Sequence, residues 1–230
     1  MSDELKAIEE VAKATGKGFD LAKSFGGFIA SLTHGSLEQA MGIFEDKLKY
    51  MRWERQIRLM ERANKAMEDR GLKERRRPLS LKLGVPLLQG ASLEDDNYLQ
   101  DLWVNLLVNA LDNERIEPKR IYIDILERLS PLEAKIIKTV YSYPFSESFV
   151  DDVQYKFILT HQLPTSIRIL GKDETGYDIP LNNPELELAL VNLVQIGCIA
   201  SVRTIGGGDL ISIVRQTFLG KYFYEACSLK

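Results

Sequence analysis

Basic side chains at helical spacing are the groups in this sequence best suited to bind another molecule. Residues 47–77 contain 12 of the 30 Lys and Arg side chains and 5 acidic ones, a net charge of +7, whereas residues 1–46 carry −4 and residues 78–230 carry −6. We call residues 47–77 the basic arm. Such a cluster attracts the phosphates of nucleic acid or of anionic lipid. Its candidate binding residues are Lys47, Lys49, Arg52, Arg55, Arg58, Arg62, Lys65, Arg75, Arg76 and Arg77.

Two other interpretations of the basic arm stay open. Glu54, Glu61, Glu68 and Asp69 lie at helical spacing from its cations, so the arm is also consistent with a solvated, partly neutralised helix face. Alternatively, the arm docks on the acidic residues 78–230 of its own chain or of a neighbouring subunit.

An apolar set precedes the basic arm and could contact a membrane or another subunit. Phe25, Phe28, Ile29 and Leu32 end a 14-residue apolar segment, 19–32, that is too short to span a bilayer, which takes about 20 residues. Apolar side chains beside Lys and Arg suit an interfacial membrane helix. Packing against a helix or a second subunit is favoured, because the run is short and interrupted by glycine. A following stripe at steps of four and three predicts an oligomer contact: Leu37, Met41, Phe44, Leu48 and Met51.

Catalytic and metal-binding signatures are not found in the sequence. No Gly-rich loop ends in the Lys-Ser/Thr pair that positions phosphates. His34 and His161 are not at ligand spacing with Cys198 or Cys227, and both thiols sit among apolar residues. The acidic cluster formed by Glu94, Asp95, Asp96 and Asp101 is interpreted as complementing a helix dipole. We therefore expect no enzyme activity, no cofactor, no metal and no small-molecule substrate.

The elements that position these residues are mostly helices. The long amphipathic helix is predicted to begin at Ser36 and to end near Asp69, before Gly71. Residues 72–92, with two prolines and two glycines, are predicted to form a connector with one short helical turn. Ser92 with Asp95 is predicted to cap the next helix, and a further short helix is expected over residues 118–128.

The last hundred residues predict a helix, an irregular stretch, a helix, a β-hairpin and a terminal helix. Ser130-Pro131 and Pro184 mark two helix starts. In the helix after Pro184, the side chains expected to face inward are Leu186, Leu188, Leu190, Val191 and Leu193. The fold class is therefore mainly α, with a helical N-terminal region and a C-terminal winged-helix-like unit with a short hairpin. Three domains are predicted: a helical arm (1–77), a helical linker or core (78–128) and the winged-helix-like domain (129–230).

The predicted recognition helix argues against DNA binding. Residues 184–196 contain Glu185 and Glu187 and no Lys or Arg, whereas reading DNA takes basic or amide side chains aimed at bases and phosphates. Nucleic acid is thus a less favoured partner than protein.

Four stretches carry a resemblance: LSLKLGVPLLQGASLEDDNYLQDLWVNLLVNALD, ILERLSPLEAKIIK, LVNLVQIGCI and VRQTFLGKYFYEAC. They resemble the abortive infection alpha family, a bacterial anti-phage domain. The resemblance covers residues 75–228, and its strongest part is the block Leu102–Asp112 followed by the Leu-Ser-Pro helix start at Leu129. It implies phage-triggered growth arrest or death and implies no chemistry.

Together these observations predict a non-enzymatic sensor or effector of abortive infection that works through protein assembly. The expected partners are further copies of the chain and a phage or host protein as trigger. Membrane perturbation by the N-terminal helices, and nucleic-acid regulation, are the alternatives. With two cysteines only, the expected location is the cytoplasm, with peripheral attachment to the inner membrane left open.

Overall fold

The computed structural model describes residues 27–32, 53–72, 76–115, 117–144, 157–171, 181–204 and 206–229. The chain divides between Ile123 and Asp124 into two compact units, here called the helical unit and the C-terminal unit. The predicted fold class is confirmed, since the described chain is mainly helical with one small antiparallel sheet near its C-terminus. The three predicted domains follow composition and charge, and that division stays a prediction.

The helical unit contains three mutually packed helices: α1 (Trp53–Asp69), α2 (Leu81–Leu93) and α3 (Asn97–Leu111). α1 ends at Asp69, as predicted, and the chain turns at Gly71, whose φ of 61° is accessible to glycine without strain. The part of the predicted helix before Trp53 lies outside the described residues. Fully buried side chains hold the three helices together: Leu59, Ala63, Leu87, Leu88, Ala91, Trp103, Leu106, Leu107 and Leu111.

The prediction of a connector over residues 72–92 is wrong. Most of these residues form α2, which contains Pro86. An internal proline costs a helix about 3 kcal/mol. Burying a large apolar side chain returns about 1.5–3 kcal/mol, and α2 buries Leu83, Leu87 and Leu88 together with Ala91. Gly90 has no Cβ, which lets the Trp103 ring lie directly against the α2 backbone. Tertiary burial therefore outweighs the local signals for a break.

The predicted cap of α3 is displaced. Ser92 lies within α2, where its hydroxyl donates to the Gln89 carbonyl oxygen at 2.8 Å. Asp96 is the cap instead: its Oδ1 accepts from the amides of Tyr98 at 2.8 Å and Leu99 at 2.9 Å. A short helix, α4 (Arg120–Leu126), follows within the predicted range 118–128.

The C-terminal unit has the three predicted helices and the predicted hairpin, and it adds two short strands within the stretch predicted to be irregular. Its helices are α5 (Pro131–Ser142), α6 (Pro184–Gln195) and α7 (Phe218–Ala226), and its strands are β1 (Ile158–Leu159), β2 (Arg168–Ile169), β3 (Ile199–Arg203) and β4 (Asp209–Gln216). The strands pair antiparallel in the order β2-β1-β4-β3. Ser130 and Glu133 form the capping box of α5, and Asn183 caps α6 before Pro184. The winged-helix assignment itself stays a prediction.

Candidate interaction surfaces

Three arginines of the basic arm bind the chain's own α2–α3 junction. Arg55 donates to the Leu93 carbonyl oxygen and to Asp95 Oδ2 at 3.2 Å. One turn on, Arg58 donates to Asn97 Oδ1 at 3.2 Å. Arg62 then donates to Asp101 Oδ1 at 2.7 Å. These contacts correspond to the intramolecular docking alternative.

The ion pairs at this junction lie near the solvent. The carboxylate side chains of Asp95 and Asp101 are 78 % and 59 % exposed. Exposed pairs of this kind contribute about 0.2–1 kcal/mol each and weaken with salt. The basic arm is therefore held here by several weak bonds.

A second group of arginines surrounds Asp112, which is buried. Arg70 donates to Asp112 Oδ2 at 3.0 Å and to Asn109 Oδ1 at 2.8 Å. Arg77 donates to the carbonyl oxygens of Ala110, Asp112 and Arg115 at 2.6–2.8 Å. These bonds tie the chain after α1 to the end of α3. We call this set the Asp112 clasp.

The clasp engages one of the predicted phosphate-binding arginines in the fold. The guanidinium of Arg77 makes three internal hydrogen bonds. The backbone of Arg76 forms an isolated antiparallel β-bridge with the backbone of Asp112. A nucleic-acid binding test that replaces Arg77 would therefore also disturb folding. Lys65, another candidate, is exposed on α1, and Lys47, Lys49, Arg52 and Arg75 lie outside the described residues.

The apolar candidates that the structure describes are buried within the chain. Phe28, Ile29 and Leu32 are 6 %, 1 % and 0 % exposed, and the Leu32 carbonyl oxygen accepts from the Leu79 amide at 2.9 Å. This placement corresponds to the packing alternative, and contact with lipid or a second subunit through these side chains stays a prediction. Phe25, Leu37, Met41, Phe44 and Leu48 lie outside the described residues.

Two residues of α6 that the sequence predicted to face inward are exposed to solvent. Leu186, Leu190 and Leu193 are buried as expected, whereas Leu188 is 71 % exposed and Val191 is 36 % exposed. Helical spacing places residues 186, 190 and 193 on one stripe and residues 188 and 191 off it, so the 3.6-residue period could have revealed this face. Glu185 and Glu187 are also exposed. We call the surface formed by Leu188, Val191, Glu185 and Glu187 the outer face of α6, and it is both apolar and acidic.

Two buried thiols and a buried phenol lie in the C-terminal unit. Burial, reinforced by the charge of Glu133, raises the pKa of Cys198 to about 12. Burial also raises the pKa of Cys227 well above its usual value. The Tyr141 hydroxyl donates to the Cys198 carbonyl oxygen at 2.6 Å and accepts from the Thr217 amide at 2.9 Å. Burial outweighs these Thr217 contacts and raises the pKa of Tyr141 to about 12.

The sequence patterns did not predict the buried polar atoms on α3. Gln100 is 1 % exposed, and neither polar atom of its side chain has a hydrogen-bond partner; the same holds for Trp103 Nε1. The amide of Gln100 on an otherwise apolar helix face could have indicated a buried polar group.

The described residues contain no group of three or more His, Cys, Asp or Glu side chains arranged to hold a metal ion. None of the helices in the described part of the chain has the length and apolarity to cross a bilayer.

These features define a class: a mainly α-helical protein with a small antiparallel C-terminal sheet, whose described arginines largely serve internal contacts. The chain belongs to the abortive infection alpha family, whose sequence profile matches residues 54–227. The predicted resemblance is thereby confirmed, and the match begins near the start of α1, earlier than residue 75. Membership supports a role in anti-phage defence. No curated protein and no solved structure matches the chain.

Proposed function

We propose that this protein acts in abortive infection as a non-enzymatic sensor or effector, through protein–protein contacts made by the outer face of α6. The observation that supports this proposal is the exposure of Leu188 and Val191 beside Glu185 and Glu187. An apolar centre with a charged rim is the usual composition of a protein interface. Two exposed carboxylates and no Lys or Arg on α6 disfavour a phosphate backbone as its partner.

The occupant that we favour is another copy of the chain, with a phage or host protein as the trigger. In this proposal the basic arm reports the state of the protein. Its bonds to the α2–α3 junction are near the solvent and individually weak. A trigger that competes for Asp95 and Asp101 would therefore break these arginine contacts at small energetic cost, while the buried Leu59 and Ala63 keep α1 packed.

The experiment compares two leucine variants of the full chain. Leu188→Glu places a charge at the centre of the α6 face. Leu81→Glu makes the same change at a leucine that is 46 % exposed in the helical unit and outside the α2–α3 junction. We expect light scattering to show an oligomer for the parent chain and for Leu81→Glu, and a smaller species for Leu188→Glu. We also expect only Leu188→Glu to lose protection in a plaque assay.

Circular dichroism must first show that both variants fold. A parent chain that is monomeric at all concentrations, together with a Leu188→Glu variant that still protects cells, would contradict the α6 contact.

A further inference from the structure

A groove of about 720 Å³ lies along β3 in the C-terminal unit. Phe157, Val194 and Val202 contribute apolar side chains to it, and Arg203 and Arg215 contribute cations. The groove is separate from the outer face of α6 described above, although Val194 comes from the end of that helix.

The strand that lines the groove is at an edge of the sheet. In the order β2-β1-β4-β3, β3 pairs with β4 on one side, and the described residues place no strand on its other side. In a paired strand, alternate residues direct their N–H and C=O groups away from the partner, which leaves an edge able to accept another extended chain. Peptides bind many domains by adding a strand at such an edge.

The two arginines of the groove favour a peptide with acidic side chains. The Arg203 side chain is 85 % exposed, and its contact with Asp209, itself 61 % exposed, is long at 3.8 Å. Arg215, opposite Ala200 in the β3–β4 pair, is exposed as well. Guanidinium groups pair with carboxylates in a two-bond geometry. Acidic side chains on an added strand would thus meet the two arginines, while its apolar side chains would meet the rest of the lining.

We propose that this groove binds an extended acidic segment of a partner protein by strand addition to β3. Arg203 and Arg215 bind its carboxylates, and Val194 and Val202 contact its apolar side chains. The proposal does not depend on the α6 contact. Nucleic acid is the poorer occupant, because two arginines can neutralise few phosphates whereas DNA-binding proteins commonly contact 6–10 of them, and the rest of the lining is largely apolar.

The test uses a fluorescein-labelled decapeptide of alternating Glu and Val, with fluorescence anisotropy as the readout and the full chain as the receptor. We expect saturable binding of this peptide. We expect much weaker binding of an alternating Lys and Val peptide, and loss of binding when alternate peptide nitrogens are methylated. Arg203→Ala and Arg215→Ala should each weaken binding by up to about fivefold, the upper range for an exposed ion pair. Arg128→Ala, at an exposed site outside the lining, should leave binding unchanged.

Three results would overturn the proposal. The first is no binding of the Glu–Val peptide at millimolar concentration. The second is equal binding of the methylated peptide, which would exclude strand addition. The third is tighter binding of a dodecamer of thymidine that depends on the same arginines, which would assign the groove to nucleic acid. Because Leu188→Glu should bind the peptide normally, failure of the α6 contact and failure of this site are distinguishable.

Discussion

The two units of this chain are stabilised by different kinds of polar contact. In the helical unit, guanidinium groups bind carboxylates and carbonyl oxygens at the α2–α3 junction and in the Asp112 clasp. In the C-terminal unit, the long-range side-chain bonds come largely from neutral groups, such as Tyr141, Gln216 and Thr217. Charged contacts respond to salt and to competing ions, whereas buried neutral ones respond mainly to packing. The helical unit is therefore the better place for a reversible switch.

The chain also carries a separate probe for each unit. Both tryptophans, Trp53 and Trp103, belong to the helical unit, and both cysteines, Cys198 and Cys227, belong to the C-terminal unit. Tryptophan fluorescence and thiol reactivity can thus follow the two units independently, and each prediction below tests the comparison with one or both probes.

Thiol reactivity should show the largest effect. Burial raises the pKa of Cys198 from 9.0 to about 12. The thiolate is the reactive form, so near pH 8 its population in the folded protein falls about a thousandfold. Because folding raises this pKa, the thiol favours the folded state below pH 9, and this contribution is lost as the pH rises toward 12. We expect neither cysteine to react with Ellman's reagent at pH 8 and both to react in denaturant. Fast reaction of the native protein would show that the C-terminal unit opens.

Breaking the Asp112 clasp should be the most destabilising change in the helical unit. Asp112→Ala removes a carboxylate whose side chain is 2 % exposed and leaves Arg70, itself 16 % exposed, with Asn109 as a remaining acceptor. Removing one partner of a buried ion pair costs about 3–5 kcal/mol. Urea unfolding followed by tryptophan fluorescence should show this loss.

The control for the clasp is Asp101→Ala, which removes an exposed carboxylate from the same helix and should cost no more than about 1 kcal/mol. Equal losses for the two variants would mean that burial does not distinguish the clasp from the junction.

Close packing in the C-terminal unit gives the next effect. A methyl group at Gly220 would overlap the Tyr141 hydroxyl and the Cys198 carbonyl oxygen. Overpacking of this kind costs about 1–3 kcal/mol. Gly220→Ala should therefore expose the thiols at lower urea concentration, while Gly207→Ala, a turn glycine with open space around its Cα, should cost only the strain of a φ of 85°. A Gly220→Ala variant with unchanged thiol protection would contradict this packing.

The elements that the sequence predicted correctly and those it missed have different physical origins. The helix starts at Ser130-Pro131 and at Pro184 and the β3–β4 hairpin depend on residues close together in the chain, and these features were predicted. Helix α2 and the Asp112 clasp depend on residues further apart in the chain, such as Gly90 against Trp103, 13 positions away, and Arg70 against Asp112, 42 positions away. No local pattern encodes those contacts. The outer face of α6 is an intermediate case, since strict helical phase would have found it.

Gln100→Leu tests whether the buried Gln100 amide contributes to the free energy of unfolding of the helical unit. The buried amide has no hydrogen-bond partner, and an unsatisfied buried polar group costs about 1–3 kcal/mol. A leucine of similar size should therefore raise the free energy of unfolding by about 1 kcal/mol in the tryptophan-monitored transition. Asn109→Leu is the contrast, because Asn109 accepts a hydrogen bond from Arg70 and its replacement should destabilise. A destabilising Gln100→Leu would indicate that the amide makes a favourable hydrogen bond within the folded protein.

The smallest expected effect comes from the junction that holds the basic arm. Arg62→Gln removes the bond to Asp101 at 2.7 Å and the bonds to the Asn97 carbonyl oxygen and Oδ1 at 3.2 and 3.0 Å. The lost ion pair should lower the stability of the helical unit by less than about 1 kcal/mol at low salt. At 1 M salt the Debye length is about 3 Å, and this part of the difference between variant and parent should largely disappear. Lys65→Gln makes the same charge change at an exposed position of α1 and should have no such salt-dependent loss. A loss for Arg62→Gln that does not change with salt would mean that Arg62 is held by its neutral hydrogen bonds and by packing rather than by charge, and that a competing ion or acidic partner could not displace it.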